Sequence, residues 1–340
     1  MEQARWANRP EGSNWGDFGP GDQIGRMNLV TPERRRNAAR EITTGETFVL
    51  SLPLDRPGTS LFAGRQPLSL FAVQAPDGEF HYRRPFSRNV PGATDVFSDD
   101  AVTLFTQQST QWDALGHAGY HFDADGDGVA ELVYYNGFRD DRIMVPPGQE
   151  GGPRARALDV EKLAMTGAQG RGVLVDFHAI HGRDSVAIGY DGLMRALELQ
   201  KAVVEPGDFL CLRTGVADLL LELGNAFVAD HARHTGAGLD GSDRRLLRWI
   251  ADSGLVAICA DNAAVEKSGR TQPSAAHPMS SLPLHRFCLF EMGIHLGELW
   301  YFTELAAWLA AHGRSRFFLT APPLRLPGAL GSPATPVATV

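Results

Sequence analysis

Gln107-Gln108-Ser109-Thr110-Gln111-Trp112-Asp113-Ala114-Leu115-Gly116-His117 holds amide, carboxylate and imidazole groups spaced by twos and fours. On an extended segment, two-residue spacing places side chains on one face. Gln107, Gln111, Asp113 and His117 are therefore expected to converge. A carboxylate and an imidazole at one point can hold a divalent metal or move a proton. The bland alternative makes Asp113 a helix cap and His117 a hydrogen-bonded core residue. Trp112 and Leu115 favour the functional reading, because they supply an apolar wall beside the polar groups.

Around this segment the chain reads as one α/β domain with a central mixed sheet, peripheral helices and a site on sheet-edge loops. Its 340 residues, 43% of them hydrophobic, suffice for a large core. A net charge of −8 argues against a general nucleic-acid or membrane-surface binder. Cys211, Cys259 and Cys288 each sit in an apolar run, far from one another. They read as buried free thiols of a reducing, cytoplasmic compartment. The polar, Gly/Pro-rich N-terminus has no apolar segment of the kind that directs secretion. No run reaches the roughly 20 apolar residues of a transmembrane helix.

Residues 1–26 read as an extended arm, 27–325 as the domain, and 326–340 as a flexible, Gly/Pro/Ala-rich tail. Thr31-Pro32-Glu33 opens a helix running to about Ile42, with Thr31 as cap and Pro32 at the first position. Thr47–Leu54, Gly172–Phe177, Phe209–Arg213, Val256–Ala260 and Phe317–Leu319 read as strands. Ala101–Gln111 begins as another. Tyr190–Val203, Ser242–Ala251 (capped by Ser242), His285–Met292 and Glu304–His312 read as helices. Residues 56–100 read as loops and short strands.

Other clusters are weaker. His285 and Glu298 bracket a helix–turn–strand unit, and His295 competes with His285 for the same role. On spacing alone, the structural reading of that pair prevails. Asp123-Ala124-Asp125-Gly126-Asp127-Gly128 resembles the start of a calcium loop, but the twelfth position is Tyr134 rather than glutamate. A solvated turn is favoured, with weak calcium binding second. Asp261-Asn262-Ala263-Ala264-Val265-Glu266 follows a buried strand, where polar groups often line a site and where Asp261 or Asn262 as a helix cap is equally expected. His178 and His181 read as structural rather than as a metal pair. No GxGxxG helix opening, GxSxG elbow or HExxH is present.

Taken together, these segments resemble the cyclase-like metal-dependent hydrolase family, which includes bacterial kynurenine formamidase, isatin hydrolase and trans-dienelactone hydrolase. STQWDALGH at 109–117 is similar to the family's central motif. SNWGDFGPGDQIGRMNLVTPE (13–33), YYNGF (134–138), GRGVLVD (170–176), PGDFLCLRTG (206–215), ADNAAVE (260–266) and LPLHRFCLFEMGIHLGELWYFTELA (282–306) match its longer members. The resemblance implies a swivelling β/β/α fold, homo-oligomers (dimer or tetramer) and a divalent metal, zinc or manganese.

Its His-x-x-x-His-x-Asp-x-x-x-His pattern falls on Gln107, Gln111, Asp113 and His117. Its distal ligands fall on His285 and Glu298. Both early imidazoles are thus amides here, and a neutral amide oxygen is a poorer zinc ligand. The implied site is mononuclear: Asp113, His285 and Glu298, with Gln111 as a fourth ligand. His117 would act as general acid/base and Gln107 as an oxyanion donor. Trp112, Phe71, Phe80 and Tyr120 would shape a pocket for a cyclic or aromatic small molecule.

The expected reaction is hydrolysis of a lactone, cyclic amide or aryl formamide. A metal-dependent cyclase or dehydratase acting on a polyketide-like ring is the second reading. A non-catalytic ligand-binding protein without its metal is the third.

Overall fold

The structure is a computed structural model describing residues 4–267 and 279–340. Its centre is a nine-stranded sheet. In chain order the strands are β1 (Thr47–Val49), β2 (Gln111–Asp113), β3 (Gln169–Asp176), β4 (Phe209–Arg213), β5 (Ala257–Ala260), β6 (His295–Glu298), β7 (Arg316–Thr320), β8 (Gly331–Pro333) and β9 (Val337–Thr339). Their spatial order is β1-β9-β7-β3-β4-β5-β6-β2-β8. β3 to β6 run parallel, and the other pairings are antiparallel. This mixed sheet with surrounding helices is the expected α/β architecture.

Val173–Val175 of β3, Phe209–Leu212 of β4 and all of β5 are apolar runs because both sheet faces are covered there. On one face Val173, Leu210, Leu212, Ile258 and Leu296 pack with residues of helices α2 (Tyr190–Leu199) and α3 (Arg244–Ser253). On the other, Trp112, Leu174, Cys211 and Cys259 pack with Leu305 and Leu309 of α4 (Thr303–Ala311). All three cysteines are free and buried. No helix among the described residues is long and apolar enough to cross a membrane.

Helix ends follow local chemistry. In α1 (Pro32–Ala38) the Thr31 hydroxyl accepts from the Arg34 amide, as expected. The helix then tightens into a 3-10 turn, Ala39–Glu41. The cap of α3 is Asp243 rather than Ser242. Its carboxylate accepts from the Arg245 and Leu246 amides, where the helix dipole favours negative charge. The Arg26 side chain donates to the carbonyls of Ile250 (2.8 Å) and Ala251 (2.6 Å) at the other end of α3.

The N-terminal arm is tied down. Trp15 is fully buried, and its indole N–H donates to the Phe290 carbonyl at 2.7 Å. Asn14 donates to the Met292 carbonyl at 2.8 Å. Residues 56–100 do form short hairpin strands, such as Ser69–Ala72 paired with Asp100–Thr103.

The C-terminal tail departs from expectation. Instead of a flexible extension, Gly331–Pro333 pairs with β2 as an edge strand, and Val337–Thr339 lies between β1 and β7. Ala338 and Val340 are fully buried. Small residues fit here because the backbone groups find ladder partners and little side-chain volume is needed.

Deleting residues 327–340 removes β8 from beside β2 and β9 from beside β7. With total stabilities of roughly 5–15 kcal/mol, a domain does not tolerate such a loss. The truncated chain is expected to lose its cooperative thermal transition. Melting within about 2 °C of the full chain would contradict this placement.

Candidate metal centre

β2 and β6 are antiparallel neighbours, with Gln111 opposite Glu298 and Asp113 opposite Leu296. Strand alternation puts Gln111, Asp113 and Glu298 on one face. His285 reaches the same point from a helical turn, Pro283–His285, that runs into a π-helical stretch, Arg286–Glu291. Such wide turns re-aim side chains and recur at functional sites. One ligand atom from each of Asp113, His285 and Glu298 lies within 4.8 Å of the others. All three residues are buried.

The hydrogen bonds fix the tautomer and the charge. His285 Nδ1 lies 2.7 Å from Glu266 Oε1, and Nε2 lies 3.2 Å from Glu298 Oε1. Glu266 also accepts from the backbone amides of Leu284 and His285, each at 3.0 Å. Gln111 Nε2 donates to Glu298 Oε2 at 3.0 Å and to Asp113 Oδ1 at 3.3 Å.

Burial alone would lower the His285 pKa, but the bonds to Glu266 and Glu298 outweigh it and raise it to about 10. Burial, and then the charge of Asp113, push Glu298 up to about 7. Without a metal, a proton on His285 Nε2 therefore stands between the carboxylates.

A divalent cation fits this arrangement. Asp113 Oδ2 and Gln111 Oε1 are buried without a hydrogen-bond partner, an unfavourable state that a cation would relieve. Asp113, His285 and Glu298 would be its ligands, with Gln111 close by. Glu266, buried behind His285, holds Nδ1–H and leaves Nε2 for the metal, the usual carboxylate–histidine–metal relay.

Other expected site residues are distributed around this centre. β2 is only three residues long, so alternation unites Gln111 and Asp113 but not Gln107 or His117. His117 sits in the following turn, partly exposed, with Nε2 3.9 Å from Asp113 Oδ1. Gln107 lies before β2, where its side-chain oxygen accepts from Thr106. Tyr120 is largely buried against Phe290, ring centroids 5.2 Å apart. Burial raises its pKa to about 12.

Trp112 does not line the pocket. It points to the opposite sheet face, is fully buried, and donates to the Ala321 carbonyl. Phe71 and Phe80 are more than half exposed, on or beside the hairpins of the 69–103 region. A cavity of about 290 Å³ lies on the Glu266 side of His285 and is walled by residues including Leu61, Phe62, Ala263 and Leu282.

The remaining clusters settle structurally. His295 faces away from Glu298 by alternation, and its Nδ1 lies 3.1 Å from the Asp113 backbone carbonyl. Burial lowers its pKa to about 4. Asp261 accepts from the Thr214 hydroxyl and the Thr214 and Gly215 amides. Asn262 is tied to the Ala237 carbonyl and the Val265 amide. Asp123 accepts from the amides of Gly126, Asp127 and Gly128. Asp125 and Glu131 both face Arg139. Ligand atoms of Asp123, Asp125 and Glu131 lie close together, with Asp123 spent on the turn's own amides and both Glu131 oxygens without a hydrogen-bond partner.

Comparison with known proteins agrees with this fold. The Cyclase family profile matches residues 48–267. A crystal structure described as a novel cyclase shares 33% identity and superposes with a TM-score of 0.76. The match covers 96% of this chain and 99% of that one. Isatin hydrolase A from Labrenzia aggregata, bound to benzyl benzoate, has a TM-score of 0.53 at 12% identity, covering 87% and 93% of the two chains. Isatin hydrolase A from Ralstonia solanacearum has 0.52 at 14%, covering 90% and 95%. At these identities the two hydrolases share the fold with this chain. No curated protein matches.

Replacing Glu266 by Gln weakens the acceptor that orients His285. Metal affinity is expected to fall about 10- to 100-fold, as measured by competition with a chromophoric chelator. Unchanged affinity would remove Glu266 from the site.

Proposed function

This chain belongs to the Cyclase family, and from that premise we propose that it is a hydrolase using one divalent metal ion held by Asp113, His285 and Glu298. The observation that carries the reading is the buried cluster itself. Two carboxylates and an imidazole meet where Asp113 Oδ2 has no protein partner. The donor set is oxygen-rich with one nitrogen, which suits zinc or manganese.

When bound, such an ion supplies Lewis acidity and brings the pKa of water toward about 7. The chain's own residues do the rest. Glu266 keeps the His285 ring in one tautomer, and Gln111 bridges Asp113 and Glu298. His117 stands at the open edge of the site. There it takes the proton from the attacking water and returns it to the leaving oxygen or nitrogen.

The substrate class is a lactone, cyclic amide or aryl formamide, whose flat apolar body suits walls such as Leu61 and Phe62. Buried free thiols support a reducing, cytoplasmic location as part of the same proposal. So do exposed Leu70, Phe71, Val96 and Phe97 for self-association into a homo-oligomer.

Asp113→Ala and His285→Ala are expected to abolish metal content and hydrolysis together, assayed on a panel of lactones, imides and formanilides. Full activity in metal-stripped protein would refute the proposal. Hydrolysis in heavy-oxygen water puts solvent oxygen into the product carboxylate. An unlabelled product would indicate lyase or cyclase chemistry instead. Sedimentation should give at least a dimer, and a monomer at all concentrations would end the assembly proposal.

A further inference from the structure

Arg65 is an arginine beside the site with no carboxylate partner. It is half-buried, and none of its nitrogens lies within ion-pair distance of an acidic group among the described residues. One nitrogen, Nη1, donates to the Gln107 backbone carbonyl at 2.8 Å. The guanidinium lies over the Phe62 ring, 4.6 Å from its centroid. These two contacts hold the plane and leave other N–H donors unused. Phe62 also lines the cavity that reaches Glu266. Buried Glu298 lies within range of the Arg65 charge.

Charge balance says what those donors are for. Asp113, Glu298 and Glu266 are three buried carboxylates. A divalent ion with neutral His285 leaves one negative charge uncompensated. Hydrolysis adds water across the acyl C–O or C–N bond. The bond to the leaving atom breaks, and that atom takes its proton through His117. A carboxylate remains, with its own proton lost to solvent. A second negative charge thus arises in a site that already carries one, which is unfavourable at low dielectric.

We propose that Arg65 is the anion-binding residue of this site, holding the acyl oxygen as its charge develops and then the carboxylate product. The proposal rests on the hydrolytic reading above and adds the group that selects for an acyl product. A planar fork suits a carboxylate, and Phe62 beneath it suits an attached ring.

The test uses benzoate as the probe, titrated calorimetrically into metal-loaded full-length protein. Arg65→Gln is expected to weaken benzoate binding about tenfold or more, the effect of losing a charged hydrogen bond. Its metal stoichiometry and melting temperature should match the unmodified protein. Arg65→Lys should fall between, since it keeps the charge and loses the fork. Equal affinity in Arg65→Gln, or no binding by the unmodified protein, would overturn the proposal. If the unmodified protein hydrolyses nothing in the panel while Arg65→Gln still weakens benzoate, hydrolysis fails and the anion site stands.

Discussion

Asp113 and Glu298 are acidic groups on adjacent strands in the buried interior, where water cannot screen them. Two buried carboxylates at this separation repel each other and have lost most of their hydration. Such a pair is stable only with positive charge between or beside it. In the metal-free protein His285 supplies a proton-borne charge, and Gln111 contributes two amide hydrogen bonds. Neither reaches Asp113 Oδ2. The strand register thus leaves a place at this point that a cation could fill.

Much of the remaining fold holds that register. β2 contributes three residues and is flanked by β6 on one side and β8 on the other. Asp113 therefore depends on a strand drawn from the last ten residues of the chain. His285 depends on the N-terminal arm in the same way. Trp15 and Asn14 donate to the carbonyls of Phe290 and Met292 at the end of the π-helical stretch. Both chain ends thus brace a centre made from the middle and the C-terminal quarter. Sites built on strands and locked by such contacts keep ligands within the tolerance that metal chemistry requires.

The legible parts of the sequence were those with local physical signatures. FLCLR and VAICA read as strands because burial on both faces demands an unbroken apolar run. Thr31-Pro32-Glu33 read as a helix start because cap chemistry is local. Asp113 stood out by its neighbours. His285 and Glu298 did not stand out by spacing, because they lie 172 and 185 residues from Asp113 and reach it through a helical turn and a strand pairing. Their placement came from resemblance to a family. Trp112 was misread because its neighbours are site residues, although alternation sends it to the opposite face. The tail was misread because Gly, Pro and Ala carry little strand signal, while its order comes from the partner strands. Glu266 lay in a segment legible as site lining, but its role came only with a partner 19 residues away, and Arg65 had no local signature because its partner is 42 residues away.

Anomalous X-ray scattering from crystals grown with zinc or manganese tests the central claim most directly. One strong peak is predicted, bonded to Asp113, His285 Nε2 and Glu298 at about 2.0–2.2 Å. Density showing these three side chains turned apart, or a peak only at some other cluster, would contradict it.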